Sequence, residues 1–506
     1  MKLAFDALGP VIAIDRRSPT PLHRQIYERM REAITQGRLP PGQRLPSSRI
    51  LARALKVSRI PVVTAFEQLA TEGFIEGRVG AGSFVSSALP QALPVSRPAK
   101  AKATGPARPP WNLHQGPFRL SQPGVEGFPI ATFARLLGRR ARTLTRKQML
   151  YGDSMGFEPL REALADHLRT VRAADCDASQ LMVVSGSQLA LALTGHALLK
   201  PGDQVWVEEP GYGGARDALS LSGATMVPVP ADEQGLDVDA GLAIAPKAKA
   251  VYVTPAHQYP LGTVMSAARR LRLLEWARRT GAWVIEDDYD SEYRYDGQPI
   301  TSLQGLDGGG RVIYVGTFSK VLFPALRAGY LVLPHELVPR FVTVRHALDI
   351  FPPVLEQAAL NDFIRGGWFS RHVRKMSEIY ARRRAVLERA IDRELAGIAK
   401  ISGASAGMHL CVLLPRGVDD RAIADDAAAR GLAVMPLSSC YAGRRKPGLV
   451  LGYGTSRERE IPDAVHQLTA IIRSHLPVNP GKQVVSGVST GAPMSYFQRQ
   501  RARAKH

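Results

Sequence analysis

The chain has 506 residues, 45% of them hydrophobic, which suits more than one globular domain. No apolar run reaches the ~18 residues of a membrane helix. The N-terminal stretch carries Asp6 and no signal-type apolar region, and Cys176, Cys411 and Cys440 are too scattered for a disulfide framework or a metal site, so a cytoplasmic protein is expected. The net charge of +21 is concentrated at the ends: residues 1–85 hold 13 Lys/Arg against 7 Asp/Glu, residues 86–111 hold 4 against none, and residues 477–506 hold 5 against none. That distribution suits contact with a polyanion, although charge alone does not separate it from a solubilising surface.

Pro21 opens a predicted helix with apolar residues at Leu22, Ile26, Met30, Ala33 and Ile34. Steps of three and four make one buried stripe. Gly37 supplies its C-cap. The loop from Leu39 to Ser48 ends in an N-cap at Ser47, ahead of a second helix with Ile50, Leu51, Ala54 and Leu55 inward. Ser58 caps a third helix that runs to about Glu72, with Pro61 tolerated in its first turn and Val62, Val63, Phe66 and Leu69 facing the core. After Gly73, the segment Phe74 to Val85 reads as a β-hairpin around a glycine-rich tip that carries Arg78. Helix, helix, helix, wing is the order of a winged helix-turn-helix, expected over residues 12–86. A purely packing role is the plainer alternative, but the wing pattern has no packing purpose. The third helix would enter the major groove of double-stranded DNA by its N-terminal end, with Ser58, Arg59 and Thr64 on its exposed face. Arg44, Ser48 and Arg49 would meet phosphates, and Arg78 would reach the minor groove or the backbone.

Residues 87–111 hold repeated Pro, Ala, Ser and Lys/Arg without apolar period and read as a flexible linker. Such a linker could reach about 75 Å when extended. Residues 477–506 are likewise aperiodic and basic, and read as a disordered tail.

Between them, over 112–476, apolar strands alternate with helical stretches. The pattern implies an α/β fold with a mostly parallel sheet, whose ligands gather beyond the carboxyl ends of the strands. Leu181–Ser185 leads into Ser185-Gly-Ser-Gln188, where backbone N–H groups, with Ser187 or Gln188, can cradle a phosphate at a helix N-terminus. Glu208 to Gly214 is a tight turn presenting Tyr212, a ring that can stack on a pyridine. Ala282–Glu286 leads into Glu286-Asp-Asp-Tyr-Asp290. There Asp287 can keep a pyridine nitrogen protonated and Tyr289 can bond the ring's phenolic oxygen, while Glu286 and Asp288 are expected to be acids on a solvated loop. Finally, Arg311–Val315 leads to Thr317-Phe-Ser-Lys320, with Arg327 seven residues on. An amine for a Schiff base, hydroxyls at Thr317 and Ser319, and a guanidinium for a phosphate are what a pyridoxal 5'-phosphate site needs. A lone lysine after a strand is usually a surface lysine; the set is stronger than any member.

Residues 40–49 and 72–85 resemble the DNA-binding domain of the GntR regulators. The region from 112 to 476 resembles fold-type I aminotransferases. The stretches Thr254-Pro-Ala-His-Gln-Tyr-Pro-Leu-Gly262 and Glu286–Tyr295, with the lysine motif through Tyr330, resemble the MocR group of GntR regulators in particular. This resemblance implies a small winged helix-turn-helix domain before a large transferase-like domain with a smaller C-terminal subdomain. It implies a homodimer in which each DNA domain packs against the other chain. Lys320 would be the Schiff-base lysine, Asp287 and Tyr289 the ring partners, and Thr317 and Arg327 the phosphate ligands.

Two departures stand out. Tyr259 occupies the place where aminotransferases carry an asparagine before proline, and Pro447 to Gly454 lacks the arginine that binds a substrate carboxylate. Arg444 and Arg445 lie just upstream of that segment. The expectation is therefore a regulator rather than an enzyme, capable at most of residual half-transamination. It would read promoter half-sites and sense pyridoxal phosphate, or an amine or amino acid effector, by aldimine exchange. An active aminotransferase with an accessory DNA-binding domain is the alternative.

Overall fold

The computed structural model describes residues 12–88, 115–295, 300–308, 310–403, 406–443 and 445–476. Most of the expected linker and all of the expected tail lie outside the described residues. The chain divides into two compact units, Met1–Arg108 and Pro109–His506.

Unit 1 holds helices α1 (Leu22–Thr35), α2 (Ser48–Ala54) and α3 (Arg59–Thr71), then strands β1 (Ile75–Arg78) and β2 (Gly82–Val85). The apolar stripe of α1 buries Ile26, Met30, Ala33 and Ile34, and these meet Leu51, Val62, Ala65, Phe66 and Leu69 in one core. Tyr27 joins that core and donates to the Glu72 carboxylate at 2.5 Å, tying the end of α3 to α1. Ser47 caps α2 by accepting from the Ile50 N–H at 3.4 Å. Two expectations fail here. Ala52 rather than Ile50 or Ala54 turns inward from α2, and Ser58 takes the N-cap position of α3 without a side-chain hydrogen bond. The wing pairs Ile75 with Val85 and Arg78 with Gly82 in antiparallel register.

Unit 2 is built on a sheet of eight strands among the described residues. These are β3 (Leu181–Val184), β4 (Gln204–Glu209), β5 (Thr225–Asp232), β6 (Gly235–Leu236), β7 (Ala250–Val253), β8 (Trp283–Asp288), β9 (Val312–Thr317) and β10 (Gly329–Val332). Their order is β3-β10-β9-β8-β7-β4-β5-β6. The run from β9 to β5 is parallel, whereas β10 is antiparallel to both β9 and β3. Period-two alternation sends side chains to two cores. Val205, Val207 and Tyr252 enter one; Trp206, Val251 and Val253 enter the other. In the second, Trp206 stacks on Trp276 with centroids 4.0 Å apart.

Helices clothe the sheet: α4 (Ile130–Arg142), α5 (Glu158–Arg172), α6 (Ser187–Leu198), α7 (Gly213–Ser220), α8 (Val238–Ile244), α9 (Ala267–Thr280), α10 (Leu303–Asp307), α11 (Val338–Asp349) and α12 (Val354–Arg365). The long α13 (Trp368–Leu395) leads to a smaller antiparallel sheet. Its strands are β11 (Lys400–Ser402), β12 (His409–Leu413), β13 (Met435–Pro436) and β14 (Gly448–Gly452), accompanied by α14 (Asp420–Ala429) and α15 (Ile461–Ser474).

Glu286 and Asp288 are not on a solvated loop. Both are buried at the end of β8. Glu286 accepts from the N–H groups of Leu303 and Gln304 at 2.8 and 2.9 Å, which anchors the start of α10. Asp288 accepts from Arg172 Nε at 2.9 Å and from the Tyr314 hydroxyl at 2.5 Å.

Candidate functional site

In unit 2, β3, β4, β7, β8 and β9 end on the same edge, so the segments that follow them converge there. Asp287 lies on β8 opposite Val315 of the neighbouring β9. One of its carboxylate oxygens accepts from the Tyr252 hydroxyl at 2.7 Å. The other, Oδ1, is buried without a partner. Burial pushes the Asp287 carboxyl up to about 7. A buried, half-satisfied carboxylate is costly unless a donor, best a cationic one, meets it.

Lys320 lies three residues beyond the end of β9. Its ammonium donates to the Ser121 carbonyl at 3.0 Å. Burial lowers its pKa to about 8, against the opposing pull of Asp290 and Asp287. Thr317 is buried, and its hydroxyl accepts from the Ser319 N–H at 3.2 Å, shaping the turn that presents Lys320.

Arg327 crosses to the start of α6. Its Nη2 donates to the Ser185 carbonyl at 2.6 Å. A Cβ on Gly186, where φ is +92°, would stand 3.3 Å from both terminal nitrogens of Arg327, so glycine is what lets the guanidinium approach. Gly186 provides no side-chain cap, and Ser187 is the first residue of the helix. An uncapped helix N-terminus beside an arginine suits an oxyanion. Next to it, Gln188 Nε2 donates to the Tyr212 hydroxyl at 2.9 Å, and Tyr212 meets Tyr259 edge-on at 5.5 Å.

A further group joins the site from the motifs already singled out, although their residues suggested no role for it. His257 Nδ1 lies 3.1 Å from both oxygens of Asp290 and 3.0 Å from the Tyr289 hydroxyl. Since the Asp290 carboxylate accepts, the Nδ1 proton lies toward it, and Tyr289 keeps its own proton to donate. His257 Nε2 is buried without a partner. His409 packs beside His257 at 5.0 Å and donates through Nε2 to the Pro260 carbonyl at 3.2 Å. Tyr259 turns its hydroxyl away, to Met435 Sδ at 3.8 Å. In the segment from Pro447 to Gly454, β14 places Val450 in the small sheet, and Arg383 from α13 donates to the Gly454 carbonyl and pairs with Glu126 at 2.8 Å. Arg445 is exposed, and Arg444 lies outside the described residues.

In unit 1, Arg59 Nε donates to Ser48 Oγ at 3.1 Å, linking the starts of α2 and α3. Arg44, Arg49, Ser58 and Thr64 are exposed around them. Arg44 bridges Phe84 of the wing. Arg78 is held within the wing itself, 2.7 Å from Glu76 and 4.7 Å over the Phe84 ring.

Residues 22–85 match the model of the bacterial regulatory proteins of the gntR family, and residues 130–457 match that of aminotransferase class I and II. The chain is 36% identical over 471 residues to the probable rhizopine catabolism regulatory protein MocR of Rhizobium meliloti, covering 90% of this chain and 95% of the relative. It belongs to the MocR-type GntR regulators. Another relative of this MocR-type chain is the pyridoxine biosynthesis transcriptional regulator PdxR of Corynebacterium glutamicum, 34% identical over 90% of this chain and 98% of its own length. Unit 2 also superposes on a kynurenine aminotransferase of Pyrococcus horikoshii with a TM-score of 0.66 and 30% identity, over 71% of this chain and 90% of that one. The MocR-type regulator thus joins a GntR DNA-binding domain to a fold-type I aminotransferase domain.

Proposed function

We propose that this transcriptional regulator holds pyridoxal 5'-phosphate in unit 2 and reads promoter half-sites as a cytoplasmic homodimer. The observation that carries the cofactor reading is the unpartnered, buried Oδ1 of Asp287 at the same sheet edge as Lys320. When bound, pyridoxal phosphate supplies an aldehyde carbon and a cationic pyridine ring that withdraws electrons. Lys320 offers the amine, in part uncharged because burial lowers its pKa. Asp287 would hold the ring nitrogen, Tyr289 would donate to the ring oxygen, and Tyr212, steadied by Gln188, would stack on the ring. Arg327, Thr317, Ser319, Ser187 and the N-terminus of α6 would hold the phosphate.

Pro447 to Gly454 brings no arginine of its own, and Arg383 is already paired there. This favours the cofactor itself, or a simple amine that competes with Lys320, as the signal. An effector acts only by binding two states of the dimer unequally. The homodimer reading draws support from exposed Met149, Leu150, Tyr151, Leu348 and Ile350, of which Tyr151 touches Phe351 at 5.9 Å. Contiguous apolar side chains in water mark a surface that is covered.

The test is a titration of DNA with the full-length protein at one salt concentration, with and without pyridoxal phosphate, comparing Lys320→Ala. Cofactor-dependent specific binding that the mutant loses supports the regulator; specific binding indifferent to both overturns the sensing role. Unit 2 retains Lys320 beside Asp287 and a transaminase fold, which favours catalysis as a second reading. Conversion of many equivalents of amino donor per chain would establish it.

A further inference from the structure

Unit 1 exposes aliphatic surface where its charge promises only polar contacts. Ile60, the second residue of α3, is 76% exposed, and Ile50 near the start of α2 is 41% exposed. Ile60 is not a frayed edge of the core. The residues of α3 that face the core are Val62, Ala65, Phe66 and Leu69, and two positions on a helix turn the side chain to the far side. Thr64 follows Ile60 by one helical turn and shares its face. The Thr64 hydroxyl donates to the Ile60 carbonyl at 3.1 Å, which commits it to the backbone and leaves the γ-methyl as the group the side chain can offer. The same domain exposes cations: Arg44 and Arg49 are exposed, and Arg59, next to Ile60, donates to Ser48 at the start of α2.

We infer that Ile60 and the Thr64 methyl read thymine 5-methyl groups in the major groove, so that thymines within each half-site are chosen by apolar contact. The inference rests on the reading of unit 1 as the DNA-binding domain. The arginines answer the phosphates, which carry no sequence. A strip of methyl groups gains nothing from a phosphate. On the floor of the major groove it has a match, because thymine there shows a methyl group that cytosine, adenine and guanine lack. A second protein surface is the rival occupant. The balance of 13 Lys/Arg against 7 Asp/Glu in residues 1–85 favours the nucleic acid.

The experiment selects sites from randomised duplexes with the full-length protein, then replaces each thymine of the winning site by deoxyuridine, which removes the methyl alone. At one or two positions per half-site the parent should bind about 4-fold more weakly for each methyl removed, the worth of one buried methyl. Ile60→Asn should lose that sensitivity at one position while keeping the slope of affinity against salt. Thr64→Ser, which keeps the hydroxyl and removes the methyl, should lose it at the neighbouring position. Equal affinity for thymine and uracil throughout, or undiminished uracil sensitivity in both variants, overturns the proposal. So does a shift from dimer to monomer in Ile60→Asn, which would assign the strip to a protein contact. Enrichment of no sequence at all would sink the DNA-binding reading itself, a different result from enrichment without any uracil effect.

Discussion

At the scale of single residues, the protonation of the proposed cofactor pocket sets the measurable behaviour. Burial holds the Asp287 carboxyl at about 7, above its unfolded value of about 3.9. The folded state therefore keeps this proton longer than the unfolded chain does. The resulting stabilisation is full below about pH 4 and is lost as pH rises through about 7. Cofactor-free protein should melt at lower temperature as pH rises across that window, and Asp287→Asn should flatten the fall in a calorimetric series. The same substitution should weaken pyridoxal phosphate binding by about 10-fold or more, since one charge-assisted bond is worth about 1.5–3 kcal/mol. Lys320 titrates the opposite way: burial lowers it to about 8, so covalent capture of the cofactor should quicken as pH rises and level off above that value. If the amine were ordinary and exposed, stopped-flow absorbance would instead record a rate that keeps rising past about pH 9 without levelling off. His257, pinned by Asp290 against the Tyr289 hydroxyl, should act as a positioning residue. In His257→Phe the pH midpoint of the bound cofactor's visible band should move, whereas a merely structural role would lower the melting temperature and leave the midpoint in place.

At the scale of elements, periodicity decided what could be read. Helix α1 runs long enough for its stripe to fix the inward face, and the hairpin announces itself through Gly73, Gly77, Gly80 and Gly82. Helix α2 has 7 residues, under two turns, so its stripe is ambiguous; Ala52 took the inward place expected of Ile50. The ends of β8 and β9 ran past their expected limits and put Asp287 and Thr317 on strands rather than after them. The antiparallel β10 was invisible because its partners, β9 and β3, are chosen by tertiary packing. The acids of β8 look alike in sequence. What separates them is Arg172 and the N–H groups of α10, distant in the chain, so their burial could not be foreseen. The candidate residues could be proposed as a set because the strand-and-loop pattern places them at or near strand ends on one sheet edge; the pairing of His257 with Asp290 needed the fold. In unit 1, Arg49→Ala and Arg59→Ala should each weaken DNA binding and lower the salt slope by about one unit, with the cofactor spectrum unchanged. Leu69→Ala, at the centre of the small core, should cost unit 1 about 2–5 kcal/mol in denaturant unfolding.

At the scale of the whole molecule, the apolar strip around Tyr151 bears on assembly. Tyr151→Arg should raise the monomer fraction in sedimentation and weaken binding to paired half-sites more than to a single one. An unchanged dimer would move the interface elsewhere. Among the described residues, unit 1 closes a core built of its own side chains, from Ile12 to Val85. Self-sufficiency of that kind makes the reader an exchangeable part. A chimera carrying residues 12–86 of a relative should inherit that relative's operator while still answering to its own chemical input. Duplication followed by such exchange would let one small-molecule sensor be rewired to new genes without any change in its pocket.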